Sequence, residues 1–243
     1  MAIIALSGYS GSGKDSVGKI IQSLTETNIP DYKVFNGTEW VPMKGFSPWV
    51  IKKFAGKLKQ IASLLTGIPI EKFEDQEFKK TYLGPEWDVL KMKPGKRQDG
   101  IFPKKVDMES VPMTVREFLQ KLGTDAMRDG LHANTWVNAL MADYKPTKLQ
   151  WSDGPLGGYE EGPMPNWVIT DCRFINEARA VKSKEGIVIR IDRSGVGPIN
   201  NHPSEVELDN WNFDYKIANV SDLEALKHSV EVILNKEGFL KTL

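Results

Sequence analysis

The chain predicts an α/β fold, a parallel sheet flanked by helices, and three observations carry that expectation. A glycine-rich turn, Gly8 to Lys14, stands between a short uncharged apolar run and a segment with helical apolar spacing. In the last third of the chain, apolar runs alternate with helical patterns, the order that builds a parallel sheet with right-handed crossovers. At 243 residues the chain is long enough to bury a sizeable core.

The apolar run Ala2 to Leu6 has the profile of a buried strand. Gly8-Tyr9-Ser10-Gly11-Ser12-Gly13-Lys14 follows, the GxxxxGK of a phosphate-binding loop. After it, Val17, Ile20, Ile21 and Leu24 fall at i, i+3, i+4 and i+7, one face of a helix. Strand, glycine loop and helix in that order are the context the motif needs. Glycines let backbone N–H groups converge on an anion, and the helix N-terminus adds unsatisfied donors and the positive end of its dipole. Lys14 can then reach the β- and γ-phosphates of a nucleotide as a point charge. A hydroxyl normally follows that lysine and holds Mg²⁺; here Asp15 takes that position and the hydroxyl comes one later, on Ser16. Asp15, directly or through water, and Ser16 are both candidate metal ligands.

Residues 28–50, with prolines, glycines and two tryptophans, predict an irregular excursion with a short hairpin. A helix follows with Leu58, Ile61, Ala62 and Leu65 on one face, stopped at Gly67 and Pro69. Glu71 to Tyr82 predicts a second, heavily charged helix, and residues 84–113 are the least regular part. Thr114 with Glu117 makes a capping box for a helix whose apolar face is Val115, Phe118, Leu119 and Leu122 and which Gly123 ends. A polar segment leads to a helix over Asn134 to Tyr144, and the glycines and prolines of 145–165 predict a long surface loop. Trp167 to Thr170 is a strand, Phe174 to Lys184 a helix, and Ile187 to Ile191 a strand with Arg190 on its polar side. A loop over Asp192 to Asp209 precedes a last strand, Asp214 to Ala218. Ser221 with Glu224 then caps a helix carrying Leu223, Leu226, Val230 and Ile233.

Lys+Arg and Asp+Glu balance at 32 each, so no overall basic signature points to nucleic acid or a membrane surface. The cluster Lys91, Lys93, Lys96, Arg97, Lys104 and Lys105 is interrupted by Asp99, Asp107 and Glu109, which favours an exposed loop over a nucleic-acid site. One cysteine, Cys172, rules out an intramolecular disulfide and fits a reducing cytosol. No basic region precedes the first apolar run and no window is long enough to span a membrane, so the expected setting is the cytoplasm.

Phosphoryl transfer needs held phosphates, Mg²⁺, and cations aimed at the moving charge. Ligands of a parallel sheet gather at the carboxyl ends of its strands. Asp171 and Arg173 sit at such an end. Asp171 can orient metal-bound waters or accept from a substrate hydroxyl, and Arg173 can bind a phosphate bidentately. Lys59 and Arg116, each at a helix start, are further phosphate-binding candidates against a reading as solvated surface charge. His202 and Glu205 lie in the loop after the Ile187–Ile191 strand; no other His or Cys stands at metal spacing, which argues against zinc and leaves a nucleotide-contacting or lid role. Trp136 reads as core or lid packing, with base stacking as the alternative.

Several of these stretches together resemble the phage-type deoxynucleoside monophosphate kinases, P-loop enzymes that move the γ-phosphate of ATP onto a dNMP. The matching pieces are Ser7-Gly8 with Ser12-Gly13-Lys14-Asp15-Ser16, Ala55-Gly56 with Lys59, and Arg116 with Leu119-Gln120-Lys121-Leu122-Gly123-Thr124-Asp125. Further on come Thr135-Trp136-Val137, Val168-Ile169-Thr170-Asp171-Cys172-Arg173 with Asn176-Glu177, and His202 with Ser204-Glu205. The pattern runs the length of the chain, while 28–50, 84–113 and 145–165 match nothing.

The resemblance implies a P-loop NTPase fold forming a single kinase domain with a nucleotide-binding and lid insertion. The core would be 1–27 and 166–243, the nucleotide-binding and lid region about 50–145. It implies that Gly11, Gly13, Lys14, Asp15, Ser16 and Val17 bind ATP, with Mg²⁺ at Asp15 or Ser16. Lys59, Arg116, Trp136, Asp171, Arg173 and Glu177 would surround the monophosphate, with Lys14, Asp171 and Arg173 serving catalysis. Gly123 and Thr124 would lie between the nucleotides at the base of a lid, and Asn219 and Val220 against adenine. The acceptor phosphate is already anionic, so no general base is required; catalysis would be positioning and charge neutralisation completed by lid closure. The resemblance also implies a homodimer, and host cytoplasm for a phage-encoded chain. Animal-type phosphomevalonate kinases share the Gly-Lys-Asp loop, so a different acceptor is an alternative. A P-loop module that binds nucleotide without turnover is another, permitted by Asp15 in place of the usual hydroxyl.

Overall fold

The computed structural model describes residues 2–26, 33–35, 40–42, 47–92, 108–150, 159–198 and 203–240. In chain order these hold β1 (Ile3–Ser7), α1 (Lys14–Leu24), β2 (Lys33–Phe35), β3 (Trp40–Pro42), β4 (Trp49–Lys52) and α2 (Gly56–Thr66). Next come β5 (Val89–Met92), β6 (Met108–Val111), α3 (Val115–Gln120), α4 (Thr135–Met141), β7 (Lys148–Gln150) and β8 (Tyr159–Glu161). The chain continues through β9 (Asn166–Ile169), α5 (Ile175–Lys182), β10 (Ile187–Asp192), α6 (Pro203–Val206), β11 (Tyr215–Ala218) and α7 (Leu223–Lys236). They pack as two compact units, 1–54 with 136–243, and 55–135.

The first unit is built on a five-stranded sheet of order β11-β10-β1-β9-β4, every pair parallel. This is the expected α/β fold, a parallel sheet flanked by helices. All five residues of β1 are buried, and alternate side chains enter opposite layers. Ile4 and Leu6 join Val17, Ile20 and Ile21 of α1 and Leu226, Val230, Ile233 and Leu234 of α7. Ile3 and Ala5 join Val137 and Leu140 of α4 and Ala178 and Val181 of α5. The chain steps from β1 to β4 and β9 on one side and to β10 and β11 on the other, so the strand order reverses at β1. That reversal opens the ligand crevice at the carboxyl ends.

β4 corrects the irregular reading of 28–50. Four residues behind a proline carry too little pattern to separate strand from loop, yet Val50, Ile51 and Lys52 pair in parallel register with Trp167, Val168 and Ile169. The other irregular stretches each hold a short antiparallel pair: β5 with β6, and β7 with β8, where a surface loop was expected. The hairpin expected in 28–50 is present as β2 with β3. Arg190 is also corrected. It is 7 % exposed, within a strand whose first five residues are all buried.

The second unit has its own apolar centre, formed by Ala62, Phe73, Met113, Val115 and Phe118. The predicted charged helix over Glu71 to Tyr82 is replaced by two 3-10 turns, Ile70–Glu74 and Phe78–Lys80. Asp75 separates them: extended itself, it accepts from the N–H groups of Glu77 and Phe78 through Oδ1 at 2.8 and 3.3 Å. α2 ends at Gly67 as expected, but Leu65 is 53 % exposed rather than on a buried face. The Thr114–Glu117 capping box is present. Gly123 does not end α3: the helix runs on as a π-helix over Lys121–Asp129, with Gly130 N–H donating to the Asp125 carbonyl five residues back. Gly123 is buried there, where a Cβ would stand 2.9 Å from Leu58 Cδ2. In the first unit, α7 is capped one residue later than predicted, by Asp222, whose Oδ1 accepts from Ala225 N–H at 2.9 Å.

Candidate active site

The glycine loop between β1 and α1 is shaped by its surroundings. Gly8 has φ +146° and Gly13 φ +104°, backbone states that L side chains rarely adopt. A Cβ at Gly8 would lie 2.4 Å from the Ile191 carbonyl, and one at Gly13 2.7 Å from Asn219 Nδ2. The loop's carbonyls are drawn off by cations and amides. Lys14 Nζ donates to Gly8 O at 2.6 Å and Tyr9 O at 2.7 Å, Arg193 to Gly11 O at 3.2 Å, and Asn219 Nδ2 to Ser12 O at 2.9 Å. Ser12 Oγ is buried in the loop with no hydrogen-bond partner among the described residues. An orphaned donor, a cradle that Cβ atoms would fill and an ammonium at its mouth fit a polyphosphate.

Lys14 is 8 % exposed. Burial, and after it the Arg173 guanidinium, pushes its pKa down to about 8, while Glu205, Asp15 and Asp171 pull the other way. Asp15 Oδ1 accepts from the Thr170 hydroxyl at 2.8 Å and lies 3.4 Å from Lys53 Nζ. Burial works to raise the Asp15 pKa, but the Thr170 hydrogen bond and the Lys53 charge outweigh it and hold the carboxyl below its ordinary value. The Ser16 side chain is exposed beside it. A carboxylate and a hydroxyl are hard oxygen donors suited to Mg²⁺, which takes one or two protein ligands and completes its shell with phosphate and water.

At the end of β9, Asp171 Oδ1 accepts from Phe54 N–H at 2.7 Å, tying the β9 end to the β4 end. Arg173 NH1 meets Glu205 Oε1 at 2.6 Å. Glu177 is 3 % exposed, and its Oε2 accepts from the N–H groups of Arg173 at 2.8 Å and Phe174 at 3.1 Å, capping α5. Trp136 is 5 % exposed on α4, and Val17 is buried in the core behind the loop. Asn219, expected against adenine, holds the loop through Ser12, and Val220 beside it is exposed. His202 lies outside the described residues, as do Lys93, Lys96, Arg97, Lys104 and Lys105 of the basic cluster.

Lys14, Asp15, Asp171, Arg173 and Asn219 thus share the carboxyl edge of the first unit's sheet. Lys59, Arg116, Gly123 and Thr124 belong to the second unit. There Lys59, 9 % exposed, pairs with Glu74 at 2.5 Å, and Arg116 NH2 donates to Gln76 Oε1 at 3.1 Å. Sequence reasoning missed Lys53, Thr170, Arg193 and the buried Arg190, which stacks on the Tyr9 ring at 4.5 Å. Lys53 sits where ligands of a parallel sheet are met, but it follows β4, a strand of four residues too short to be read from the sequence.

Comparison with known proteins adds to this geometry. A family model described as deoxynucleotide monophosphate kinase matches residues 89–230, more than half of the chain. A putative deoxynucleotide monophosphate kinase of Acanthamoeba polyphaga mimivirus is 36 % identical over 102 residues, 39 % of this chain and 47 % of the relative. The deoxynucleotide monophosphate kinase of Escherichia phage RB69 is 26 % identical over 121 residues, 50 % of this chain and 45 % of the relative. The chain spans about half the length of the curated relatives it matches. No helix among the described residues is long and apolar enough to cross a membrane.

Proposed function

Because the chain belongs to the deoxynucleotide monophosphate kinase family, we propose that it transfers the γ-phosphate of ATP to a deoxynucleoside monophosphate, giving ADP and a dNDP. The observation that carries the reading is the glycine loop with Lys14 at its mouth and Arg173 near enough to depress the lysine's pKa. In this reading the loop N–H groups and Lys14 hold the donor's β- and γ-phosphates, and Arg173 meets charge on the transferring group. Asp15 and Ser16 would hold Mg²⁺, which would supply charge neutralisation for the phosphates. Thr170 and Lys53 keep Asp15 ionised and oriented. The acceptor brings its own anionic oxygen, so the residues position and neutralise rather than remove a proton.

A coupled ADP-release assay with Mg·ATP tests this against dNMPs, NMPs and phosphomevalonate. Turnover with one or more dNMPs is expected, falling by about a hundredfold or more in Lys14→Ala. Turnover on phosphomevalonate alone would reassign the acceptor. ATP binding without acceptor-dependent ADP release would make the chain a binding module.

A further inference from the structure

The stretch between β10 and β11 carries acidic residues at every second position, and each grips a different part of the first unit. Glu205 Oε1 accepts from Arg173 NH1 at 2.6 Å, and Glu207 Oε1 accepts from Ile175 N–H, at the start of α5, at 2.9 Å. Asp209 takes Arg190 NH2 at 3.1 Å and the Tyr9 hydroxyl of the glycine loop at 2.9 Å. Leu208 between them is 2 % exposed, so the stretch is anchored in the core as well. It forms a strap across the end of β9, the start of α5 and the glycine loop.

Arg173 is thereby held at both ends, its backbone N–H on Glu177 and its guanidinium on Glu205. The ion pair is lopsided. The Glu205 side chain is 9 % exposed and that of Arg173 34 %, so the carboxylate is the fixed member and the guanidinium reaches outward. The grip is also single-pronged: Arg173 NH1 meets Oε1, while Glu205 Oε2 is buried with no hydrogen-bond partner among the described residues. Leaving a buried acceptor unfilled is unfavourable, and a pair kept for stability alone would close both oxygens on the arginine fork. An open pair beside Lys14 suits a cation that must keep one edge for a phosphate.

We propose that Glu205 is a positioning residue for phosphoryl transfer, fixing Arg173 from inside the strap so that the guanidinium's outer edge meets the phosphates. The inference rests on the kinase reading above. Glu205 acts through Arg173, while the glycine loop and Lys14 anchor ATP, so its loss falls on kcat rather than on the KM for ATP.

The test is a double-mutant cycle on the full chain with Mg·ATP and an acceptor that the wild type turns over. Glu205→Gln lowers kcat by about tenfold to a hundredfold, with the KM for ATP within about twofold of wild type. Glu205→Ala, with no oxygen to accept from NH1, loses more. The double variant with Arg173→Lys is no slower than Arg173→Lys alone, because both act at one point. Glu207→Ala, which takes the side-chain acceptor from the Ile175 N–H and touches no guanidinium, lowers the melting temperature without that kcat signature. Additive losses, or wild-type kcat in a folded Glu205→Gln, would overturn the inference and leave the kinase reading intact. A wild type silent toward every acceptor would remove both. If Glu205→Ala does not fold, Glu205→Gln and the cycle decide.

Discussion

Lys14 keeps its charge in a place that disfavours charge. Its ammonium sits buried among loop carbonyls with Arg173 close by, and its pKa in the free protein is pushed down to about 8 from 10.5. Below the folded value, both folded and unfolded chains hold the proton, and the folded chain bears the full penalty of a buried cation. Between about 8 and 10.5 the unfolded chain still binds a proton that the folded chain has released, so stability rises with pH across that window. Met in place of Lys14 removes the titration. In nucleotide-free, metal-free protein, urea unfolding is expected to show the wild type gaining on Lys14→Met by up to about 3 kcal/mol between about pH 8 and pH 10. A difference that stays flat with pH would mean that Lys14 is not depressed. Under the proposed function the same property would serve binding, since an arriving polyphosphate would restore the proton's advantage.

At the scale of elements, helix ends show how local chemistry is settled by three-dimensional context. Ser221 and Asp222 are both good N-caps by residue type, and Ser221 with Glu224 has the spacing of a capping box. The chain uses Asp222, which is extended and accepts from Ala225 N–H. Asp222→Ala is therefore expected to destabilise the protein by about 1 kcal/mol and Ser221→Ala by less than about 0.5 kcal/mol in denaturant unfolding; the reverse order would restore the sequence-based assignment. What was legible follows the same logic. β1, β9, β10, α1 and the glycine loop have long or strongly patterned signals, and Asp171 and Arg173 follow from the strand-end rule. β4 was hidden because Trp49–Lys52 is too short for periodicity to decide, and Lys53 was hidden with it. Gly123 looked like a helix stop, but its missing Cβ serves close packing against Leu58. Arg190 looked solvated because, apart from Asp192, its partners Asp209 and Tyr9 are 19 and 181 residues away in the chain, beyond any local pattern.

The described residues form separate apolar centres. Two line the faces of the five-stranded sheet, and the third is made entirely from residues of the second unit. Residues 55–135 leave the first unit after Phe54 and return to it at Trp136, so the glycine loop and its sheet are assembled from chain segments on either side. A lesion in the third centre should then be felt first within its own unit. Phe73 has no exposed surface and meets Phe78 edge-on at a centroid distance of 6.5 Å. Phe73→Ala is expected to weaken that centre by about 3–5 kcal/mol. Native-state hydrogen exchange on the full chain would then show amides of α2 and α3 losing protection while those of β1, β9 and β10 keep theirs. ATP at about a hundred times its Kd adds about 2.7 kcal/mol to whatever unit binds it; with the loop in the first unit, that gain should appear in β1 and β10 of Phe73→Ala as it does in the wild type. Equal loss of protection in all five strands would instead make the chain one cooperative unit. Protection gained by α2 and α3 at the same ATP concentration would place the nucleotide's stabilising contacts on the second unit as well.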